Sequence, residues 1–505
     1  MAQRDASPHP KPPTTQSELE SYDAFETYLL ENERLEVPGS LCLTDIFSWN
    51  KGHKMLTADT HPIPMSYLNH GAFGDPYPST LILRQYLTSL CYRQPMVYHR
   101  SIVPILHARA KKKVCDYLKI QNKDDFSFIA VTPAIFGVVN AVNFEEGDVI
   151  VTSDMIYHSL VDAISHIVSV KKLHWVQVES PHGCDPEATY VEFERVLHIE
   201  SSLRTVRLVV FDHISSKPTV MFPVNKICKL CRSLKIPTLV DGAHVPGSIP
   251  TYLIDVESTE ATFYCMTFHK WVNTPRGNSG GLWVNKKDIQ CMYSSFIDIS
   301  GLCVGGGLID DRGDYEMHND ASKPGYIIDG LTQGIYDEST REYENILVLP
   351  HCLDIVLINE YACQQHALRL RSESFKLLSE AWGLAAEETE QWGGLYSLGD
   401  VALPMVAIPL PTKKLVDAAQ FENDGLALGE KLKLLKNHLV PKLWEEYAIE
   451  VPIFVWKQTI VGVRISFGRH VMIEDIIRLG NAINTIIEQG FSCGKPSERI
   501  SDHHL

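Results

Sequence analysis

The feature that most constrains this chain is an alternation of short apolar, β-branched runs with helix-like stretches, sustained from about residue 67 to 290. The clearest runs are Asp148–Thr152 (DVIVT), Val206–Phe211 (VRLVVF), Pro237–Val240 (PTLV), Ala261–Phe268 (ATFYCMTF) and Gly281–Val284 (GLWV). Between them lie stretches of helical spacing such as Tyr157–Val168 and Pro223–Leu234, the second opened by a proline suited to a first helical turn. Strands that alternate with helices predict βαβ units and a mostly parallel sheet, an α/β fold.

The rest of the chain divides around that block. Residues 1–20 (MAQRDASPHPKPPTTQSELE) are polar and Pro-rich and predict a disordered tail. A weakly helical segment is expected over 21–66, then a large domain over 67–345. Within the latter, 297–334 is rich in Gly and Asp without a clear period and predicts a long loop excursion. A smaller C-terminal α+β domain is expected over 346–490, followed by a tail at 491–505. Its pattern gives a strand at Met405–Leu410, a helix at Glu430–Tyr447, a strand at Val461–Phe467 and a helix at Ile473–Glu488.

Charge narrows the function classes. Lys plus Arg is 46 against 62 for Asp plus Glu, a formal charge of −16, so no nucleic-acid backbone and no anionic membrane surface is the expected main partner. No run of about 18 apolar residues predicts a membrane span. The start shows neither the apolar core of a secretory signal nor an Arg-rich amphipathic pattern, which predicts a cytoplasmic protein. The 12 cysteines, scattered over 505 residues, suit reduced thiols better than a disulfide scaffold.

Two residues stand where chemistry is expected. Asp241 follows the run in IPTLVDGAH and would sit at the carboxyl end of a strand, the edge where open α/β sheets bind ligands. Lys270 follows the next run, in FYCMTFHKW, and emerges on the same edge if the two strands are parallel. An amine in apolar surroundings has a lowered pKa and forms Schiff bases, and a carboxylate can hold a proton on a pyridine nitrogen. That pair is the minimum for a pyridoxal phosphate site. The same spacing is also met by an aspartate that caps a turn and a lysine on the surface.

The segments YLNHGAFG (67–74), DHISS (212–216), VDGAHVPG (240–247), TFHKW (267–271) and PRGNSGGLWV (275–284) resemble the class V aminotransferase family of pyridoxal phosphate enzymes, nearest its isopenicillin N epimerase-like and cysteine desulfhydrase-like branch. The resemblance runs from about residue 65 to 480. It implies fold type I, in which a large domain with a mostly parallel sheet binds pyridoxal 5'-phosphate, a smaller C-terminal domain completes the site, and the enzyme is a homodimer. By the same resemblance Lys270 is the Schiff-base lysine, Asp241 the partner of the pyridine nitrogen and His244 the donor to the phenolic oxygen. Thr267 and His269 match the phosphate-binding hydroxyl and imidazole. Tyr157 sits where an aromatic ring stacks on the pyridine, with His158 as a substitute for it. Asp212 and Ser215 fall beside the cofactor, Asn69 and His70 on the substrate side, and Arg464 matches the arginine that grips the substrate α-carboxylate with its planar fork.

The phosphate cradle departs from the family. Val131-Thr132-Pro133-Ala134 stands where a Thr-bearing helix start is usual. Pro133 lacks an N–H and Ala134 a hydroxyl, so Thr132 and Ala134 form a thinner cradle. By the same resemblance Asn278 and Ser279, which follow the lysine, match positions that reach a phosphate across a dimer interface in relatives, and Thr340 and Arg341 resemble the family's Gly-Thr-Arg-Asp run, with Ser339 and Glu342 as departures.

Rival motifs carry less. Gly277-Asn278-Ser279-Gly280-Gly281 fits G-x-S-x-G, but a turn precedes it and a strand follows, the reverse of a nucleophile elbow. Cys228 and Cys231 form a lone C-x-x-C with no second pair and no nearby histidine, so no metal site is expected. The expected activity is a C–S lyase reaction on a cysteine-like amino acid. Amino-acid epimerisation and transamination are the enzymatic alternatives, and a catalytically silent scaffold on the same fold is the alternative from another class.

Overall fold

The computed structural model describes residues 15–32, 65–180, 185–277, 279–295, 297, 308–309, 315–316, 342–384, 403–421 and 425–493. The start of the expected tail, most of the 21–66 segment and most of the 297–334 excursion lie outside these residues, as do Asn278, Thr340 and Arg341. A helix, α1 (Thr15–Asn32), spans the boundary expected between tail and helical segment.

Seven strands form the main sheet: β1 (Phe126–Phe128), β2 (Val149–Ser153), β3 (His174–Val178), β4 (Val206–Asp212), β5 (Thr238–Asp241), β6 (Phe263–Thr267) and β7 (Gly280–Val284). Their order is β1-β7-β6-β5-β4-β2-β3. Strands β2 to β6 are mutually parallel, β7 runs antiparallel to β6, and β1 pairs antiparallel with β7 and so shares the direction of the other strands. The GLWV run is therefore a strand, as its sequence predicts, but turned against its neighbour. Strands β1 and β3 carry no apolar run that stands out: β1 has three residues, and β3 (HWVQV) lies at the sheet edge with a half-solvated pattern.

Because successive strand residues face opposite sides, each run feeds two cores. Val149, Val151, Val209, Phe211, Val240 and Met266 pack on one side, and Ile150, Leu208, Val210, Leu239, Phe263 and Cys265 on the other. The first face is covered by α2 (Pro78–Arg93) and α3 (Val103–Leu118), the second by α4 (Val131–Ala141) and α5 (His158–Lys171). Helices α6 (Pro186–Leu203) and α7 (Val224–Ser233) also cover the first face. Asp185 caps α6 by accepting the Ala188 N–H at 2.8 Å, with proline in the first turn.

A 34-residue helix, α8 (Leu349–Trp382), leaves this core for the next. Leu349, Cys352, Leu353 and Val356 belong to the large core; Ala367, Leu370, Leu378 and Trp382 belong to the C-terminal one. The helical stretch Glu344–Trp382 is long and apolar enough to cross a membrane by length and composition, with a mean hydropathy of 1.5 over 18 residues. No such stretch was expected from the sequence. Burial explains its composition, since 61% of that window lies inside the protein.

The C-terminal core holds an antiparallel sheet in the order β8-β10-β9, from β8 (Met405–Pro409), β9 (Ile453–Trp456) and β10 (Ile460–Ser466). Helices α9 (Leu428–Tyr447) and α10 (Ile473–Gln489) pack on it. Ser66–Tyr67 pairs in parallel with Ile449–Glu450, so the segment that opens the α/β block is anchored on the C-terminal one. Arg464, on the central strand β10, is thereby brought to Asn69 and to Ser216 of the large sheet's loops.

Candidate active site

Three parallel strands deliver side chains to one edge. Strands β4, β5 and β6 end at Asp212, Asp241 and Thr267, and the first two are direct neighbours in register. Asp241 accepts the Ala243 N–H at 2.9 Å, which fixes the carboxylate just past its strand. The turn continues to His244, whose Nε2 lies 3.2 Å from Lys270 Nζ, the lysine that follows β6. Asp241 and Lys270 thus share the carboxyl edge, as their spacing predicts.

The protons on this cluster follow from its partners. Trp271 Nε1 donates to His244 Nδ1 at 3.4 Å. Burial and the cations Lys270, Arg464 and His269 hold the His244 pKa well below its usual value, so the ring is neutral. With Nδ1 accepting, its proton sits on Nε2 and points at the lysine amine. Lys270 can accept that proton only as a free amine. Burial pulls its pKa down to about 8, with Asp241 opposing and Arg464 assisting. Asp241 and Asp212 are both pushed up by burial, Asp212 further because it also feels the charge of Asp241. Asp241 accepts the Ala243 N–H, which favours its charged form, whereas Asp212 Oδ2 has no hydrogen-bond partner among the described residues. On that geometry the proton of the pair is assigned to Asp212.

Opposite lies an anion site. Thr267 Oγ1 and His269 Nδ1 share a 2.6 Å hydrogen bond. Thr267 pairs with Gly280, and the Ile129 N–H donates to the Gly280 carbonyl at 3.1 Å, which sets the start of α4 beside them. A Cβ on Gly280 would stand 2.5 Å from the Ile129 oxygen, so only glycine admits this approach. The first N–H groups of α4, at Val131 and Thr132, have no partner within the helix, and Thr132 is exposed. Ala134 does not join them. Its N–H donates to Ala130 at 3.0 Å and its methyl is fully buried in the core, so the assignment of Ala134 to the cofactor is corrected.

Tyr157 stands immediately before α5, 39% exposed, with Lys270 Nζ 6.0 Å from its ring centroid. His158 packs against Tyr157 with ring centroids 4.1 Å apart. Tyr157 is the ring that faces the lysine.

Arg464 forms the third corner. It is buried, with NH1 donating to Ser216 Oγ and NH2 to Asn69 Oδ1, each at 2.6 Å. Asn69 in turn donates to Glu450 Oε1 at 3.1 Å. No carboxylate pairs with Arg464 among the described residues, its Nε has no partner, and burial draws its pKa down to about 10. A buried guanidinium held only by neutral groups is preorganised for an incoming carboxylate.

Two further expectations are corrected. The Ser215 hydroxyl is spent inside its own loop, donating to Pro218 O at 2.7 Å and accepting the Val220 N–H at 3.1 Å. Its neighbour Ser216 reaches the site instead. The tandem serines of DHISS offer no sequence signal for choosing between them. His70 packs behind the lysine turn, its ring 5.0 Å from Trp271 and 5.6 Å from His470, and hydrogen-bonds the Lys270 backbone. It supports that turn rather than a substrate. Glu450 was missed by the sequence reading because its role arises only through the strand pairing with Tyr67.

The chain is similar to known proteins in the same sense. The model of the family described as aminotransferase class-V matches residues 93–297. A probable chloroplastic L-cysteine desulfhydrase of Arabidopsis thaliana is 24% identical over 457 residues, covering 86% of this chain and 85% of that one. A hercynylcysteine sulfoxide lyase of Schizosaccharomyces pombe is 39% identical over 69 residues, 14% of this chain and 17% of that one. Among solved structures, a cystine C–S lyase complexed with cysteine persulfide superposes with a TM-score of 0.59 at 17% identity, covering 83% of this chain and 97% of that one. A cysteine desulfurase from Thermococcus onnurineus superposes with a TM-score of 0.56 at 16% identity, covering 84% and 95%.

The fold is type I of the pyridoxal phosphate enzymes, and pyridoxal 5'-phosphate is the candidate cofactor against which the site is tested. The residues fit it. Lys270 offers an unprotonated amine, Asp241 an acid for the ring nitrogen, and His244 an N–H for the phenolic oxygen. Thr267, His269 and the start of α4 offer donors for the phosphate, and Tyr157 a ring to face the pyridine.

Proposed function

We propose that this member of the class-V aminotransferase family is a C–S lyase that releases sulfur from cysteine or an S-substituted cysteine by β-elimination. The observation that carries the reading is a lysine amine 3.2 Å from His244, on the strand edge that carries Asp241, together with a buried arginine that pairs with no carboxylate among the described residues. The desulfhydrases of similar sequence supply its sulfur chemistry.

When bound, pyridoxal phosphate supplies an aldehyde that takes up the substrate amine and a ring that draws electrons from Cα. Arg464 binds the α-carboxylate through its two forked nitrogens, oriented by Ser216 and Asn69. Lys270, unprotonated above about pH 8, removes the Cα proton at Nζ. Asp241 keeps the ring nitrogen protonated by placing a negative charge beside it. His244 donates Nε2–H to the phenolic oxygen. Tyr157 covers one face against water. The C–S electron pair leaves with sulfur as a thiolate, and hydrolysis of what remains gives pyruvate and ammonia. A homodimer, which the resemblance implies, is part of the same proposal and is checked by light scattering at twice the mass of one chain.

The test is product analysis. Purified holoenzyme incubated with L-cysteine, L-cystine and S-alkyl cysteines is expected to yield pyruvate and ammonia in equal amounts. Exchange of the Cα proton with solvent deuterium but no pyruvate would support epimerisation instead. Accumulation of the aminated cofactor with a keto acid would support transamination.

A further inference from the structure

Glu450 is an acid that the chemistry above does not use, one side chain behind the arginine that it does. Its strand pairs in parallel with Ser66–Tyr67, and its backbone carbonyl accepts the Leu68 N–H at 2.8 Å. Its Oε1 accepts from Asn69 Nδ2 at 3.1 Å, and Asn69 Oδ1 accepts from Arg464 NH2 at 2.6 Å. A side-chain amide thus bridges a carboxylate and a guanidinium. Asn69 and Arg464 are only 3% and 2% exposed, so water has little room to replace either partner. Burial pushes the Glu450 pKa up, and the Asn69 N–H opposes it by stabilising the ionised form.

Donor and acceptor chemistry fixes the direction of this relay. A guanidinium only donates and a carboxylate only accepts, whereas an amide carries one group of each kind at its two ends. With Glu450 as acceptor, Nδ2 must face it and Oδ1 must face Arg464. Turned over, Asn69 would set its N–H groups against the arginine's donors and its oxygen against the carboxylate, leaving buried polar groups unpaired. Ser216 Oγ accepts from the other fork nitrogen, NH1, at 2.6 Å. Each fork nitrogen therefore gives one N–H to the protein and keeps its second for the substrate. An acid bonded directly to Arg464 would take those remaining donors; held one amide away, Glu450 orients the arginine and leaves them for the ligand. We propose that Glu450 is a positioning residue of the carboxylate clamp. By fixing which end of Asn69 meets Arg464, it keeps the guanidinium aimed at the substrate α-carboxylate. This rests on the reading of Arg464 as that clamp and is independent of which bond the enzyme breaks.

The test compares two ligands without a Cα hydrogen, 2-aminoisobutyrate and tert-butylamine, which differ only in a carboxylate against a methyl group. Holoenzyme is titrated with each, and dissociation constants are read from the change in cofactor absorbance. The wild type is expected to bind the acid about a hundredfold more tightly, the scale of a pair of charge-assisted hydrogen bonds. In Glu450→Leu that preference falls about tenfold, while affinity for the amine stays within about threefold. Glu450→Gln keeps most of the preference, since its amide oxygen can still accept from Asn69. A preference unchanged in Glu450→Leu, or an equal loss of affinity for both ligands, overturns the proposal. Should Glu450→Leu fail to fold, Glu450→Asp draws the acceptor back by one methylene and is expected to show part of the same fall. An unchanged preference there overturns the proposal as well. A wild type without preference for the acid removes the clamp, and this proposal with it. The lyase reading fails separately, if neither L-cysteine nor its S-alkyl conjugates yield pyruvate.

Discussion

At the scale of single residues the account turns on where protons sit. The Trp271 indole sets the His244 tautomer, and that tautomer requires a neutral Lys270. The sign of the pH effect follows. Below about pH 8 the amine is protonated and cannot attack the cofactor aldehyde; above it the free amine predominates. Apoprotein mixed with pyridoxal phosphate in a stopped-flow spectrometer is expected to take it up faster as pH rises, half-maximally near 8. A rate that is flat across that value contradicts the assignment. The two aspartates make a second contrast. Asp212 holds the shared proton, so Asp212→Asn replaces a neutral acid with a neutral amide and is expected to change kcat by less than about threefold. Asp241→Asn removes the charge beside the ring nitrogen and is expected to lower kcat by about a hundredfold or more while cofactor remains bound. Equal losses in the two variants would show that the proton is assigned to the wrong partner.

At the scale of elements the site depends on backbones that pass very close to one another. Gly74 donates its N–H to the His269 carbonyl at 2.9 Å, and a Cβ there would lie 2.0 Å from the Lys270 oxygen. Backbone atoms cannot swing aside as a side chain does. Gly74→Ala is therefore expected to destabilise the protein by about 1–3 kcal/mol and to loosen the lysine turn. The checks are a lowered melting temperature together with a lowered cofactor content after gel filtration; retention of both would contradict the packing. The same scale explains what the sequence revealed. The runs ending at Asp241 and Thr267 are uninterrupted and apolar because parallel strands are buried on both faces, so strand and edge were legible together. Strand β3 was not legible, since at the sheet edge its residues are half solvated. Ala134 was misread because a helix start was recognised without knowing which of its N–H groups already had a partner. Ser216 and Glu450 acquire meaning only from what Arg464 and Asn69 bring to them. Such encounters across more than two hundred residues leave no local trace.

At the scale of the molecule two hydrophobic cores converge on one crevice. Helix α8 runs through both, and the Ser66–Tyr67 pairing with Ile449–Glu450 ties the entry of the α/β block to the C-terminal sheet. The large sheet presents Asp241, His244 and Lys270, while β10 carries Arg464 across to Ser216. Neither half alone has both the amine and the carboxylate clamp. The whole arrangement rests on Lys270 being the residue that joins the cofactor, and this is open to direct chemical reading. Holoenzyme is reduced with borohydride, digested and analysed by tandem mass spectrometry for the phosphopyridoxyl group. The account predicts the group on Lys270, in the peptide containing TFHKW, and its loss in Lys270→Ala. Stoichiometric labelling of another lysine such as Lys217, or protein that takes up pyridoxal phosphate without any reducible linkage, would contradict it.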